Sequence, residues 1–147
     1  MDDKKYLAKI SGLVPYLVGV AKAWLDDEGS IIVDMNRSQM EDMGQDSMGD
    51  AFGDYSDWSK AMKYPEKKAA MGKQDKFINL NFTEEFHDGM DYKMSGSKLT
   101  IISKDDKTEI LTDMFGKDIF GINDENFSEI TDDLAIHIAN KLTSYFT

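Results

Sequence analysis

An α+β fold, with a small antiparallel β-sheet built on a central hairpin and packed by an N-terminal and a C-terminal helix, is what this 147-residue sequence predicts. Three observations carry that prediction. Near each end of the chain, large apolar residues recur every third or fourth position, the period of a helix with one buried face. Between them, apolar and polar residues alternate on both sides of Ser95-Gly96-Ser97, the period of paired strands around a turn. The length fits one domain spanning residues 1–147, and helices gathered against an antiparallel sheet are one of the few ways such elements share a core.

The first helix is expected over residues 3–27. Tyr6, Ile10, Leu13, Leu17, Val20 and Trp24 form its apolar stripe, which serves either the core or a neighbouring subunit. Pro15 has no N–H to donate, and its ring opposes the carbonyl of Ser11, so a kink or a restart near Leu13 is expected. Gly29 closes the helix. The next stretch fits two descriptions. Ile31, Val33 and Met35 alternate with Ile32, Asp34 and Asn36, as in a short strand. Ile32, Met35 and Met43 fit a continuing helix less cleanly.

Residues 44–76 read as a long irregular loop, with Gly44, Gly49, Gly53 and Gly72 spread among Asp, Ser and Lys. Loops of that length in a compact domain usually carry function or order on assembly. Tyr55, Trp58 and Tyr64 lie inside it, and aromatic residues in a polar loop anchor it to the body or to a partner. Residues 86–94 alternate as a half-buried strand, placing Phe86, Met90, Tyr92 and Met94 on one face and His87, Asp91 and Lys93 on the other. Gly96 sits in the turn, and residues 98–104 return with Leu99 and Ile101 on one side. A short helix over 107–115 carries Ile110, Leu111, Met114 and Phe115 and stops at Gly116. Asn123 or Asp124 caps a last helix whose stripe is Phe127, Ile130, Leu134, Ile138, Leu142 and Tyr145. Ile136 points away from it. His137 is expected on the solvated side of that helix.

Composition narrows the function classes. There are no cysteines, which excludes disulfides and thiolate metal sites. The formal charge is −11, from 28 acidic and 17 basic residues, with Arg37 the single arginine, so the positive footprint of nucleic-acid binding is missing. Solubility accounts for the acidity most simply. The stretch from Leu13 to Leu25 is too short and too interrupted to span a bilayer, and the opening Met-Asp-Asp offers no basic leader of a secretory signal. No membrane partner is expected.

Catalytic chemistry finds no footing. His87 and His137 are isolated, and no HExxH pair, GxxxxGK loop or GxSxG elbow occurs. The run Asp46, Asp50, Asp54, Asp57 has the look of a calcium loop, but Met48, Ala51 and Asp57 stand where that loop needs an oxygen ligand, a glycine and a glutamate. No catalytic, metal or cofactor-binding residues are assigned, and the chain is not expected to be an enzyme.

Three segments occur in an informative order: Asp34-Met35-Asn36-Arg37-Ser38-Gln39-Met40, leading through a Gly-Asp loop to Asp54-Tyr55-Ser56; Leu80-Asn81-Phe82-Thr83-Glu84-Glu85-Phe86-His87-Asp88-Gly89-Met90; and Lys107 to Gly116 followed by Asp118-Ile119-Phe120-Gly121-Ile122-Asn123-Asp124-Glu125. Together, over roughly residues 30–146, they resemble small morphogenesis proteins of phages and prophages of Bacteroides-like hosts. More distantly they are similar to the tail-completion proteins of long-tailed bacteriophages, including the Mu type. The shared features are an Asn-Arg-x-Gln segment, a loop ending in an aromatic residue, an element that opens a hairpin, a helix ending in Phe/Tyr-Gly, and a Phe-Gly-Leu-like turn into the last helix. The most specific part is Phe115-Gly116 with Ile119-Phe120-Gly121-Ile122. The chain departs from the pattern at Glu84, where such proteins usually carry glycine.

The resemblance implies a structural protein of the virion, in the head–tail neck or at the end of the tail tube. Its partners would be copies of itself in a ring of six, the connector or adaptor, and the tail tube or its terminator. Genomic DNA would pass through the channel without specific binding. The loop 44–76 and the hairpin tip at Gly96 are the natural contact arms, and acidic residues lining the channel would repel DNA. Gly116 and Gly121 would take backbone angles closed to other residues, with Phe115, Ile119 and Phe120 pinning the connection to the core. Two other classes compete: an acidic inhibitor that mimics DNA, disfavoured because lysines are scattered among the acids between Lys60 and Lys76, and a metal-dependent hydrolase.

Overall fold

The computed structural model describes residues 2–55, 63–81 and 84–147, Tyr64 by its backbone. Helix α1 (Asp3–Asp27) is followed at once by α2 (Gly29–Met43). A long connection contains a short α3 (Tyr64–Ala70). A four-residue turn of helix, α4 (Glu85–Asp88), leads into strands β1 (Met90–Ser95) and β2 (Lys98–Ser103). Helix α5 (Thr108–Phe115), a 3₁₀ turn (Lys117–Ile119) and α6 (Asp124–Phe146) complete the order. The fold is α+β with one antiparallel hairpin, as expected.

The hairpin pairs Met90 with Ser103, Tyr92 with Ile101 and Ser95 with Lys98, around a two-residue loop whose Gly96 takes φ 59°. A two-stranded sheet is marginal by itself. Here β1 lies along α2, and helices from both ends of the chain close the core. Trp24 of α1 and Ile130 of α6 join Ile32, Val33 and Met40 of α2 with Phe86, Met90, Ile101 and Ile119.

The ambiguous segment after Gly29 is helix. Its buried residues are Gly29, Ile32, Val33, Asn36, Gln39 and Met40, spaced by three and four. Two members of that stripe are amides, so counting only apolar residues hides the period. The glycine at its start is not a terminator. A Cβ on Gly29 would fall 2.3 Å from the ring of Tyr92, whose hydroxyl donates to the Asp26 carbonyl at 2.8 Å. The α1–α2 junction can therefore close over the tyrosine only at a glycine.

Other expectations are corrected. Helix α1 does not restart near Leu13; Pro15 lies inside one helix. The 44–76 stretch holds α3 and an isolated bridge between Gln45 and Ala51, so it is not wholly irregular. Residues 86–89 are not strand. Phe86 and His87 are both buried, which adjacent residues of a half-buried strand cannot be, because they point to opposite faces. The turn of α4 turns both inward, so His87 is interior rather than on an exposed face. The ladder ends where the Ser103 hydroxyl donates to the Phe86 carbonyl at 2.9 Å. His137 faces α1, its ring 6.4 Å from that of Trp24. Ile110, Met114 and Phe127 are exposed despite their places in apolar stripes, and Ile136 is exposed as expected. Asn123 is the cap of α6, accepting from the Asn126 N–H at 3.0 Å. Among the described residues, no helix is long and apolar enough to cross a membrane.

Candidate assembly interface

Three regions stand out: a buried amide clamp, a polar staple under the long connection, and an exposed helix-pair arm. The clamp comes from α2. Asn36 and Gln39 stand one turn apart on its buried face, 0% and 1% exposed. Asn36 Nδ2 donates to the Ile119 carbonyl at 3.0 Å, and its Oδ1 accepts from the Gly121 N–H at 3.0 Å. Gln39 Nε2 donates to the Gly121 carbonyl at 3.3 Å, and its Oε1 accepts from the Asn123 N–H at 2.7 Å. Two side chains thus satisfy four main-chain groups of the turn into α6, of which the Ile119 carbonyl and the Asn123 N–H are bonded in the buried interior. Gly121 itself has φ 135°, and a Cβ there would meet the Cβ of Ser47 at 2.8 Å.

This clamp joins two segments that were separate in the sequence. Asn36-Arg37-Ser38-Gln39 grips Ile119-Phe120-Gly121-Ile122, while Arg37 Nε donates to the His87 carbonyl at 2.9 Å. Ile119 is fully buried, Phe120 lies against Phe86 at 5.9 Å, and Phe115 meets Phe52 edge-on at 5.5 Å. Gly116 takes φ 85° with open space around it. Of the residues chosen from sequence, the structure brings together Phe115, Ile119, Phe120 and Gly121. Gly96 stands apart at the exposed tip, Trp58 lies outside the described residues, and Tyr64 starts α3.

Tyr55 belongs to the second region. Lys68 Nζ lies 5.5 Å from its ring centre and donates to Asn79 Oδ1 at 2.7 Å. Asn79 and Asn81 both bond to Glu41 of α2, one to its carbonyl and one to its carboxylate. His87 Nε2 meets the Asn79 carbonyl at 3.0 Å, and its Nδ1 is buried with no hydrogen-bond partner among the described residues. Burial pushes the Lys68 amine down to about 8, with Lys73 acting in the same sense and Asp75 and Glu41 against it. Burial also lowers His87 and raises the Tyr55 phenol, the latter with help from Asp75. The result is a cross-link that fixes residues 68–81 to α2. Asp46 is similarly committed, its carboxylate accepting from the Met48 and Asp50 N–H groups at 2.9 Å. Among the described residues, no group of three or more His, Asp or Glu could hold a metal ion.

The third region is α1 with the C-terminal half of α6, packed antiparallel. The Tyr145 hydroxyl donates to the Lys9 carbonyl at 2.7 Å, Lys9 Nζ to the Tyr145 carbonyl at 3.1 Å, and the Tyr16 hydroxyl to the Lys141 carbonyl at 3.4 Å. Trp24 is the one buried residue of α1, and Ile130 the one buried residue of α6. The stripe read from sequence faces α6, but its burial fades outward, and Tyr6 and Ile10 are exposed. On the opposite side, Leu7, Val14 and Val18 form a second apolar row open to solvent.

Sequence reasoning missed the clamp, the staple and this outer row. The clamp was signalled by two amides at helical spacing inside an apolar stripe, and the row by spacings of seven and four. Comparison with protein-family models, with curated proteins and with solved structures finds no match to this chain.

Proposed function

We propose that this chain is a structural virion assembly subunit of a tailed bacteriophage, joining copies of itself into a ring at the head–tail neck or the end of the tail tube. The observation that carries the reading is the arm: Leu7, Val14 and Val18, with Tyr6 and Ile10 beside them, are exposed on a helix that contributes a single buried residue to its own core. Contiguous exposed apolar surface of this kind marks a site of association.

The motif segments support the same reading. The parts of the sequence that resemble phage tail-completion proteins meet in the amide clamp, and the position where those proteins carry glycine, Glu84, has a left-handed backbone with φ 74°. The subunit would work by docking against itself, the connector and the tail tube, with its −11 charge keeping DNA from adhering to the channel. Electron microscopy of particles assembled without the protein tests the role. Tailless heads beside free tails are expected, and complete, infectious particles would overturn it.

A further inference from the structure

The staple leaves a cavity beside it. About 320 Å³ of space lies between the staple, α4 and α5, walled on its apolar side by Leu80, Phe86, Leu111 and Phe115. Lys68 and Asp105 also line it, and the exposed lining residues Glu84 and Lys107 set its mouth on their side. Ligand pockets run from about 300 to 1,000 Å³ and are mostly apolar with a few fixed polar groups. This cavity therefore has the size and make-up to hold a small metabolite.

Two charged groups on that lining are short of partners. Lys68 is 2% exposed, and a cation so buried is costly unless an anion pairs with it. Its Nζ finds one hydrogen-bond acceptor among the described residues, the neutral amide oxygen of Asn79 at 2.7 Å, and lies 5.5 Å from the centre of the Tyr55 ring. That amide oxygen is shared, because it also accepts from the Asn81 N–H at 3.1 Å. Among the described residues no carboxylate stands at ion-pair distance from Lys68. Burial holds the amine down to about 8, with Lys73 adding to the effect and Asp75 and Glu41 opposing it. Asp105 shows the opposite lack. Its Oδ1 accepts from the Lys107 N–H at 3.2 Å, while its Oδ2 is buried with no hydrogen-bond partner among the described residues. Buried polar atoms are nearly always bonded. The four charged residues of the lining, Lys68, Lys107, Glu84 and Asp105, cancel formally, so the site suits an occupant without net charge.

We propose that this cavity binds a free α-amino acid with an apolar side chain, its carboxylate against Lys68 Nζ, its ammonium against Asp105 Oδ2 and its side chain among Leu80, Phe86, Leu111 and Phe115. A zwitterion meets both lacks and adds no net charge. A simple carboxylic acid would answer Lys68 and leave the Asp105 oxygen buried and unpaired, and a simple amine would do the reverse. An amino acid with a charged side chain would set a further charge against the apolar wall. The site goes beyond the assembly reading and does not rest on it. Its test reads small-molecule binding rather than particle morphology, so either can fail alone.

NMR titration of the isotope-labelled whole chain tests the site before any substitution is made. L-Phenylalanine is expected to shift the amide signals of Lys68, Asp105 and Leu111 saturably, with a Kd below about 1 mM. N-Acetyl-L-phenylalanine lacks the ammonium and L-phenylalaninamide the carboxylate, and each should bind about tenfold more weakly or worse. Lys68→Met and Asp105→Asn, with thermal melting to confirm that each folds, should each weaken L-phenylalanine by about tenfold or more. In Asp105→Asn the acetylated analogue should then bind as well as the parent, because the group that distinguishes them is gone. No saturable shift with L-phenylalanine, L-leucine or L-methionine up to about 10 mM would overturn the site. An analogue that matches the parent on the wild-type chain, or a folded variant with unchanged affinity, would overturn the placement of the zwitterion. If Lys68→Met does not fold, the two analogues decide the matter on the wild-type chain alone.

Discussion

Where α2 meets the turn into α6, two amides no more than 1% exposed hold four main-chain groups in place. From Asp3 to Val18, by contrast, no residue of α1 is buried, and its outer apolar row faces solvent. Both regions are helical, and both carry polar and apolar residues at similar spacings. They differ in what their side chains touch. The clamp's partners are inside the chain, so its polar groups specify one arrangement of the body. The arm satisfies its backbone within the helix and buries little side-chain surface in the fold, which leaves that surface exposed. Substitutions should therefore divide cleanly: costly to folding in the clamp, nearly silent to folding on the arm.

The largest effect is expected at Asn36. Asn36→Ala strands the Ile119 carbonyl and the Gly121 N–H, each a loss of about 1–3 kcal/mol when buried and unpaired. A fall of about 3 kcal/mol in urea-unfolding free energy is expected. Leu7→Ser on the arm should stay within about 0.5 kcal/mol, as exposed substitutions do. Equal losses at the two sites would abolish the distinction between body and arm.

Gly121 is next. Gly121→Ala must place a side chain at φ 135° and 2.8 Å from Ser47, so about 2 kcal/mol is expected. Gly116→Ala, at φ 85° and ψ 170° in open space, meets no clash but keeps a backbone region essentially reserved for glycine, for about 1–2 kcal/mol. Thermal or urea unfolding of the pair isolates the close approach from the backbone angle. A Gly116 variant as damaged as the Gly121 variant would show that the contact with Ser47 contributes nothing.

How much of this was legible in the sequence follows from the same contrast. Helices α1 and α6 and the hairpin were readable because their periods are carried by large apolar residues, and Asn123 because a cap precedes a periodic run. Helix α2 stayed ambiguous because two of the six buried positions in its stripe are Asn36 and Gln39, which count as polar until their backbone partners are known. His87 was misplaced because Phe86, Met90, Tyr92 and Met94 alternate well enough to extend the strand backward, while the burial of two neighbours in α4 goes with contacts to Asn79 in the preceding connection and to Arg37 in α2, far along the chain. Phe115, Ile119, Phe120 and Gly121 were found as a set, but what holds them was not. The outer row of α1 was hidden beside a stronger inner stripe, since a helix pattern reveals apolar positions without saying which of two faces the rest of the fold reaches.

The polar staple gives a pH test confined to the body. Lys68 is held near 8 in the folded chain, against about 10.4 when unfolded. Between those values the unfolded chain keeps a proton that the folded chain has released, so stability rises with pH over that window. Tyr55 acts oppositely: its folded value is raised, so its contribution is lost above about 10. His87, lowered by burial, makes the body less stable as pH falls below about 6.5, where the unfolded imidazole gains its proton first. The urea midpoint should climb from pH 7.5 to about 9.5, and Lys68→Met should flatten that climb while leaving the acid side unchanged. A wild-type midpoint that is level across the alkaline window would remove Lys68 from the staple.

The smallest effect lies at the edge of the body. Glu84 has φ 74°, a left-handed backbone that costs a side-chain-bearing residue about 1 kcal/mol relative to glycine. Its carboxylate stands 3.6 Å from Lys73 Nζ, yet that carboxylate is well exposed, and such pairs contribute about 0.5 kcal/mol or less. Glycine also enlarges the freedom of the unfolded chain, which offsets part of the gain. Glu84→Gly should therefore raise stability slightly, by about 0.5 kcal/mol, and the sign matters more than the size. A gain would mean that the clamp and staple hold this chain in a conformation its own residue resists. A loss would mean that Glu84 is fixed by its contacts and that the body tolerates no such strain. Measuring the same substitution in an Asn36→Ala background completes the test: if the clamp is what imposes the conformation, the gain from glycine shrinks once the clamp is gone.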